Sequence, residues 1–152
     1  GYTLSLPLEE NRLFTRKAFL DRLAMTLGGY AAEEMIFGEI TTGPSNDLQV
    51  ASSLARDMVT RYGMSRLGAR TFGKKEELVF LGREMHEEKN YSEKTAESID
   101  MEVSRLIDEA FKRATDILIK RRETLETLAQ TLLQKETIEK DEFESIVNPV
   151  MA

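Results

Sequence analysis

The chain has no cysteine and a single histidine, His86. It therefore has no disulfide, no thiolate nucleophile and no cysteine-based metal site, a composition that suits a reducing compartment. One histidine without cysteines does not build an ordinary zinc site, and His86 sits in a polar stretch with Glu84, Glu87 and Glu88 that reads as a solvated loop. Basic residues are also in deficit, with 21 Lys and Arg against 27 Asp and Glu and a net charge of −6. Nucleic-acid affinity rests on clustered cations that displace counterions, so a nucleic-acid partner is excluded. Long apolar runs are missing too: Leu78 to Leu81 is among the longest, whereas crossing a bilayer takes about 20 consecutive apolar residues. The chain itself is expected to be soluble. No G-x-x-x-x-G-K-[ST] loop, G-x-G-x-x-G turn or G-x-S-x-G elbow occurs, so nucleotide binding and serine-nucleophile chemistry are not encoded here.

What is present is the balance of one globular domain: 152 residues, 41% hydrophobic and 32% charged. The first residue is Gly1 rather than methionine, and the sequence reads as a piece of a longer protein. Tyr2, Leu4 and Leu6 alternate with Thr3 and Ser5 ahead of Pro7, which predicts a short edge strand. Thr15 is placed to cap a helix whose apolar positions run from Phe19 to Met35, with Gly38 as its stop. Gly28 and Gly29 fall inside that pattern and mark either a break or a close backbone approach, the second being favoured. Asn46 followed by Gln49 resembles a capping box, with Asp47 in the first turn of a helix that Gly63 ends. Loops and a short strand around Leu78 to Leu81 are expected before Ser92 caps a long amphipathic helix. Two shorter helices follow, around Leu125 to Leu133 and Phe143 to Val147. The fold class is thus mainly α with minor β, closing in a helical hairpin or small bundle.

Asp47 is the residue whose two readings differ most. An acid in a first helical turn ordinarily complements the positive helix end. The same dipole and free backbone donors would equally hold a carboxylate pointing out of the helix as a metal ligand. Glu33 and Glu34 are adjacent helical carboxylates that either face solvent or orient a metal ligand without touching the metal.

Several strings, in order, carry a family resemblance: G-Y-T-L-S-L-P at Gly1 to Pro7, G-G-x-A-A-E-E at Gly28 to Glu34, F-G-E at Phe37 to Glu39 and T-T-G-x-S-N-D at Thr41 to Asp47. They continue with A-R-x-M-V-T at Ala55 to Thr60, Y-G-M-S at Tyr62 to Ser65, F-L-G-R-E at Phe80 to Glu84, Y-S-E-K-T-A at Tyr91 to Ala96 and K-E-T-I at Lys135 to Ile138. Together they resemble the FtsH-type proteases, membrane-anchored AAA+ zinc metalloproteases, over essentially the whole chain. The resemblance implies a single unit, residues 1–152, forming the C-terminal part of a peptidase domain. In that family zinc is held by two histidines of an H-E-x-x-H helix and by an aspartate that matches Asp47, while the glutamate of H-E-x-x-H is the general base. That motif does not occur in this sequence, so no catalytic residue is assigned here and the chain alone is expected to be inactive.

The resemblance further implies unfolded or membrane proteins as substrates, with Tyr2, Thr3 and Leu4 as an edge strand that pairs with an extended substrate. It implies a parent that is a homo-hexamer on the cytoplasmic face of a bacterial or organellar inner membrane. Zinc belongs to that parent's peptidase site, and ATP and magnesium to its ATPase domain. Pro44 and Tyr30 depart from residues common in the family, which suggests a stiffer loop ahead of Asp47. Without the zinc helix, apolar surface around Leu23, Leu27 and Gly28 is expected to be uncovered. The alternative reading is a non-catalytic helical oligomerisation or adaptor module.

Overall fold

A computed structural model describes residues 13–75 and 87–149. The predicted strand at Tyr2, Thr3 and Leu4, the apolar run from Leu78 to Leu81 and His86 lie outside the described residues. Thr15 is extended, and its Oγ1 accepts from the Ala18 N–H at 3.1 Å, opening α1, Arg16–Thr26. A hydroxyl in this place satisfies one of the first-turn donors that a helix leaves without a partner.

The single helix expected from Thr15 to Met35 is two. Leu27 forms the joint, and Gly28–Phe37 is α2, ending at Gly38 with φ 65°. The glycine pair therefore marks a break. A Cβ built on Gly28 would meet nothing within 4 Å, so no close backbone approach explains it.

The third helix, α3, spans Ser45–Thr60 and starts behind Pro44 without a side-chain cap. The Asn46–Gln49 capping box does not form because the helix begins two residues earlier, which puts Asn46 inside the first turn. Gly63, at φ 60°, turns the chain out of α3, and the Met64 N–H returns to the Met58 carbonyl at 2.9 Å. The chain then runs back along the helix end, where the Phe72 N–H reaches the Thr60 carbonyl at 2.8 Å. Two short strands follow, β1 at Lys74–Lys75 and β2 at Glu87–Glu88, paired antiparallel.

Ser92 opens α4, Glu93–Lys120, with its Oγ accepting from the Thr95 N–H at 3.2 Å. At 28 residues, about 7–8 turns, it is the long amphipathic helix expected. It is the spine of the fold: α1, α2 and α3 all pack against it. Ile99, Leu106 and Ala110 of α4 meet Phe19, Leu23, Ala24 and Leu27 from the α1 side and Ala51, Ala55, Met58 and Val59 from α3. Tyr30 of α2 packs edge-on against Phe111, with ring centroids 5.5 Å apart. Tyr30 thus serves the α2–α4 contact. Asp21 and Arg113 pair at 2.6 Å and tie α1 to the later turns of α4.

Apolar surface was expected to be uncovered around Leu23, Leu27 and Gly28; the two leucines are fully buried in this core and form no part of such a surface, while neighbouring Met25 is exposed and Gly28 half-buried. The remaining helices, α5 at Arg122–Lys135 and α6 at Lys140–Val147, pack on each other and bury no residue. They match the helical hairpin expected at the C-terminal end. Six helices and one two-residue ladder make the described residues mainly α. No helix among them is long and apolar enough to cross a membrane.

Candidate metal centre

The break at Leu27 directs α2 towards the start of α3, and the loop between them determines where Asp47 stands. Glu33, half-buried on α2, holds that loop. Its Oε2 accepts from the Thr41 backbone N–H at 3.1 Å, and its Oε1 accepts from the Thr41 hydroxyl at 3.0 Å. The same hydroxyl oxygen accepts from the Gly43 N–H at 3.1 Å. A Cβ on Gly43 would lie 3.2 Å from Thr41 Oγ1 and 3.3 Å from Glu33 Oε1, so a side chain there would push on the clamp. Pro44, buried, then turns into α3. A carboxylate reaching across to a backbone N–H and a hydroxyl makes a charge-assisted pair of bonds, which fixes a loop more firmly than neutral contacts do.

Asp47 lies in the first turn of α3 and is half-buried. No described residue donates a hydrogen bond to its carboxylate or forms an ion pair with it. This position sets it beside the positive end of the helix and the unsatisfied N–H groups of the first turn. Its Oδ2 lies 3.9 Å from where a Cβ on Gly29 would be, so the second glycine of the pair faces the aspartate across the α2–α3 junction. Glu34 is exposed, and no described residue pairs with its carboxylate.

A carboxylate with both oxygens uncommitted is an ordinary zinc donor, and a site of this type takes three protein ligands. Among the described residues no group of three or more His, Cys, Asp or Glu could hold a metal ion. Asp47 thus offers one carboxylate donor, short of the three that a site of this type takes. Tyr2, Thr3 and Leu4 cannot be placed relative to it, since they lie outside the described residues.

A second polar centre, for which no functional residue was expected from sequence, stands on α4. Glu102 sits on the inward face of α4, and its carboxylate takes Arg105 Nε and Nη2 at 2.9 Å each and the Arg66 N–H at 3.0 Å. Arg105 also reaches Glu109 at 2.7 Å. The Arg105 guanidinium, aided by the Arg66 N–H, lowers the Glu102 pKa to about 2 against the cost of burial. The sequence signal was an acid at a core position of the helical period, between Ile99 and Leu106.

A sequence model of peptidase family M41 matches residues 1–146. An ATP-dependent zinc metalloprotease FtsH 1 of Sphaerobacter thermophilus is 51% identical over 147 residues, which is 96% of this chain and 22% of the relative. A protein of the same name from Conexibacter woesei is 50% identical over 149 residues, 97% of this chain and 23% of its own length. ATP-dependent zinc metalloprotease FtsH of Thermotoga maritima is 46% identical over 149 residues, 97% of this chain and 24% of its own. The chain thus spans about a quarter or less of the length of these curated relatives. With almost its entire length matched by the family and by FtsH proteases at about half identity, this chain belongs to peptidase family M41.

Proposed function

We propose that this chain is the C-terminal part of the proteolytic domain of a membrane-anchored, ATP-dependent zinc endopeptidase, and that Asp47 supplies the third zinc ligand. The observation that carries the reading is the half-buried Asp47 carboxylate, unpaired among the described residues, at the entrance of α3. A buried or half-buried charge without a partner is costly, and a cation is the partner that removes the cost. The two remaining ligands and the general base come from an H-E-x-x-H segment that this sequence does not contain. When bound, zinc in such a site activates water and polarises the scissile carbonyl.

The chain's own contribution is position. Glu33 holds Thr41 and Gly43, the loop delivers Pro44, and the first turn of α3 presents Asp47 at a fixed angle. Glu33 thus acts on the metal site through the loop and not as a ligand. The alternating sequence at Tyr2, Thr3 and Leu4, outside the described residues, suits main-chain pairing with an extended polypeptide and so unfolded protein substrates whatever their side chains. Helices α5 and α6, which bury nothing internally and leave Leu133 85% exposed, present a surface for assembly into the parent's homo-hexamer. The isolated chain is inactive because it lacks the base and two ligands.

The decisive experiment measures zinc content and casein digestion for this chain, for the full-length protein and for its Asp47→Asn variant. The reading requires zinc and activity in the full-length protein and loss of both in the variant. Full zinc occupancy in Asp47→Asn would remove the assignment and favour a helical adaptor that binds protein partners without metal.

A further inference from the structure

Gly29 is not explained by its backbone or by its packing. It lies within α2 and does not adopt positive φ, unlike Gly38 and Gly63, so an L side chain fits its conformation. It is exposed, so no neighbouring element requires its smallness. Glycine is among the poorest helix formers, and a residue that costs helix stability without a conformational or packing reason calls for another one. The other member of the pair isolates that reason. A Cβ on Gly28 would meet nothing within 4 Å, whereas a Cβ on Gly29 would meet one described atom, Asp47 Oδ2, at 3.9 Å.

We propose that Gly29 is a positioning residue for the Asp47 metal site, its bare Cα keeping clear the space beside the carboxylate through which a cation and its other ligands approach. The proposal rests on the reading of Asp47 as a zinc ligand. Carboxylate–zinc bonds are about 2 Å long, so a side chain that begins 3.9 Å from the donor oxygen competes for the volume that the metal and its remaining ligands need. A methyl group there stands in ordinary contact with the oxygen and narrows the approach. A β-branched side chain, with two further carbons on Cβ, has few rotamers in a helix with which to avoid the carboxylate. The glycine thus trades helix stability for access to the metal site.

The test uses the full-length protein with Gly29→Val, Gly29→Ala, Gly28→Ala and Asp47→Asn, scored by zinc affinity in chelator competition and by thermal melting. Gly29→Val is expected to weaken zinc binding about tenfold or more, the range seen when groups around metal ligands are altered. Gly29→Ala is expected to weaken it less while raising the melting temperature. Gly28→Ala is expected to raise the melting temperature and leave zinc affinity unchanged.

Wild-type zinc affinity in Gly29→Ala and Gly29→Val, with loss in Asp47→Asn, would overturn the role of Gly29 and leave the ligand assignment standing. An equal loss of zinc in Gly28→Ala would also overturn it, since the effect would then belong to the helix and not to the space beside Asp47. Zinc retained in Asp47→Asn would remove the ligand assignment and this proposal together. If Gly29→Val does not fold, Gly29→Ala decides, because a methyl at that position fits the helix.

Discussion

Arg105 grips the Glu102 carboxylate with two hydrogen bonds, Nε and Nη2 each at 2.9 Å, on a face of α4 that is otherwise apolar. The third acceptor site takes the Arg66 N–H at 3.0 Å, so a helix-borne acid anchors the loop that follows α3. This arrangement makes the fold sensitive to acid in a defined range. The Glu102 pKa is lowered from 4.5 to about 2 in the folded chain. A depressed carboxylate pKa contributes stability that is complete above the unfolded value and is lost as the pH falls through the folded one. The loss is therefore expected between about pH 4.5 and pH 2. Acid titration followed by far-UV circular dichroism should show wild type losing more stability across this window than Glu102→Ala, in which Asp21, its carboxyl held low by Lys17 and Arg113, still responds to acid. At neutral pH that variant should lose about 2 kcal/mol, less than a fully buried pair would, because Arg105 keeps Glu109 as a partner.

Gly63 and Gly38 separate two costs that are usually mixed. Both have positive φ, 60° and 65°. A Cβ on Gly38 would meet nothing within 4 Å, but one on Gly63 would lie 3.1 Å from Ala69 Cα and 3.3 Å from the Gly68 carbonyl oxygen. Gly38→Ala is thus expected to cost only left-handed strain, about 1 kcal/mol. Gly63→Ala adds a backbone collision that no side-chain rotation relieves, and should cost about 2–3 kcal/mol. Urea melts of the two variants check the difference, and equal costs would show that the 68–70 backbone yields freely.

Local signals that depend on one residue were legible in the sequence: the Thr15 and Ser92 caps, the Gly38 and Gly63 stops and the length of α4 all follow from hydroxyls, glycines and helical period. What failed depended on packing or on neighbouring turns. Leu27 continues the apolar period of α1 into α2, so the break there is invisible to periodicity and only the glycine pair hints at it. The capping box failed because Pro44 starts the helix two residues early. Leu23 and Leu27 are buried by α4, which lies far along the chain, so local pattern could not say what covers them. Asp47 and Glu33 were both singled out from sequence. The bond from Glu33 to Thr41, eight residues away, was not, because it exists only once the α2–α3 loop has folded back.

The Glu33 clamp predicts a local defect rather than a global one. Its bonds to Thr41 are exposed, and exposed hydrogen bonds contribute little to overall stability. Glu33→Ala should therefore change the global melting free energy by less than about 1 kcal/mol. Hydrogen exchange at the Thr41 and Gly43 amides should accelerate, since both lose their anchors directly or through the Thr41 hydroxyl. In the full-length protein the same change should weaken zinc binding about tenfold or more, as expected when a group that orients a ligand is removed. Unchanged exchange at Thr41 and Gly43 would show that the loop holds its shape without the acid.

The core and the last two helices should respond differently to the same substitution. Leu106 is completely buried between α4 and its packing partners, and Leu106→Ala removes atoms that the surrounding helices cannot fully replace, at a cost of about 2–5 kcal/mol. Leu133, 85% exposed on α5, should change stability by less than about 0.5 kcal/mol when made alanine. The same logic extends to deletion. Every member of the core cluster lies between Phe19 and Ala110, and the described link from the C-terminal hairpin back to the α4–α5 junction includes the bond from Arg121 Nη1 to the Val147 carbonyl at 2.7 Å. A chain ending after Arg121 should therefore keep a single cooperative thermal transition, lowered by only a few degrees, about what 1 kcal/mol shifts in a domain of this size. Loss of cooperative unfolding on that truncation would mean that α5 and α6 stabilise the α1–α4 core despite burying no residue of their own.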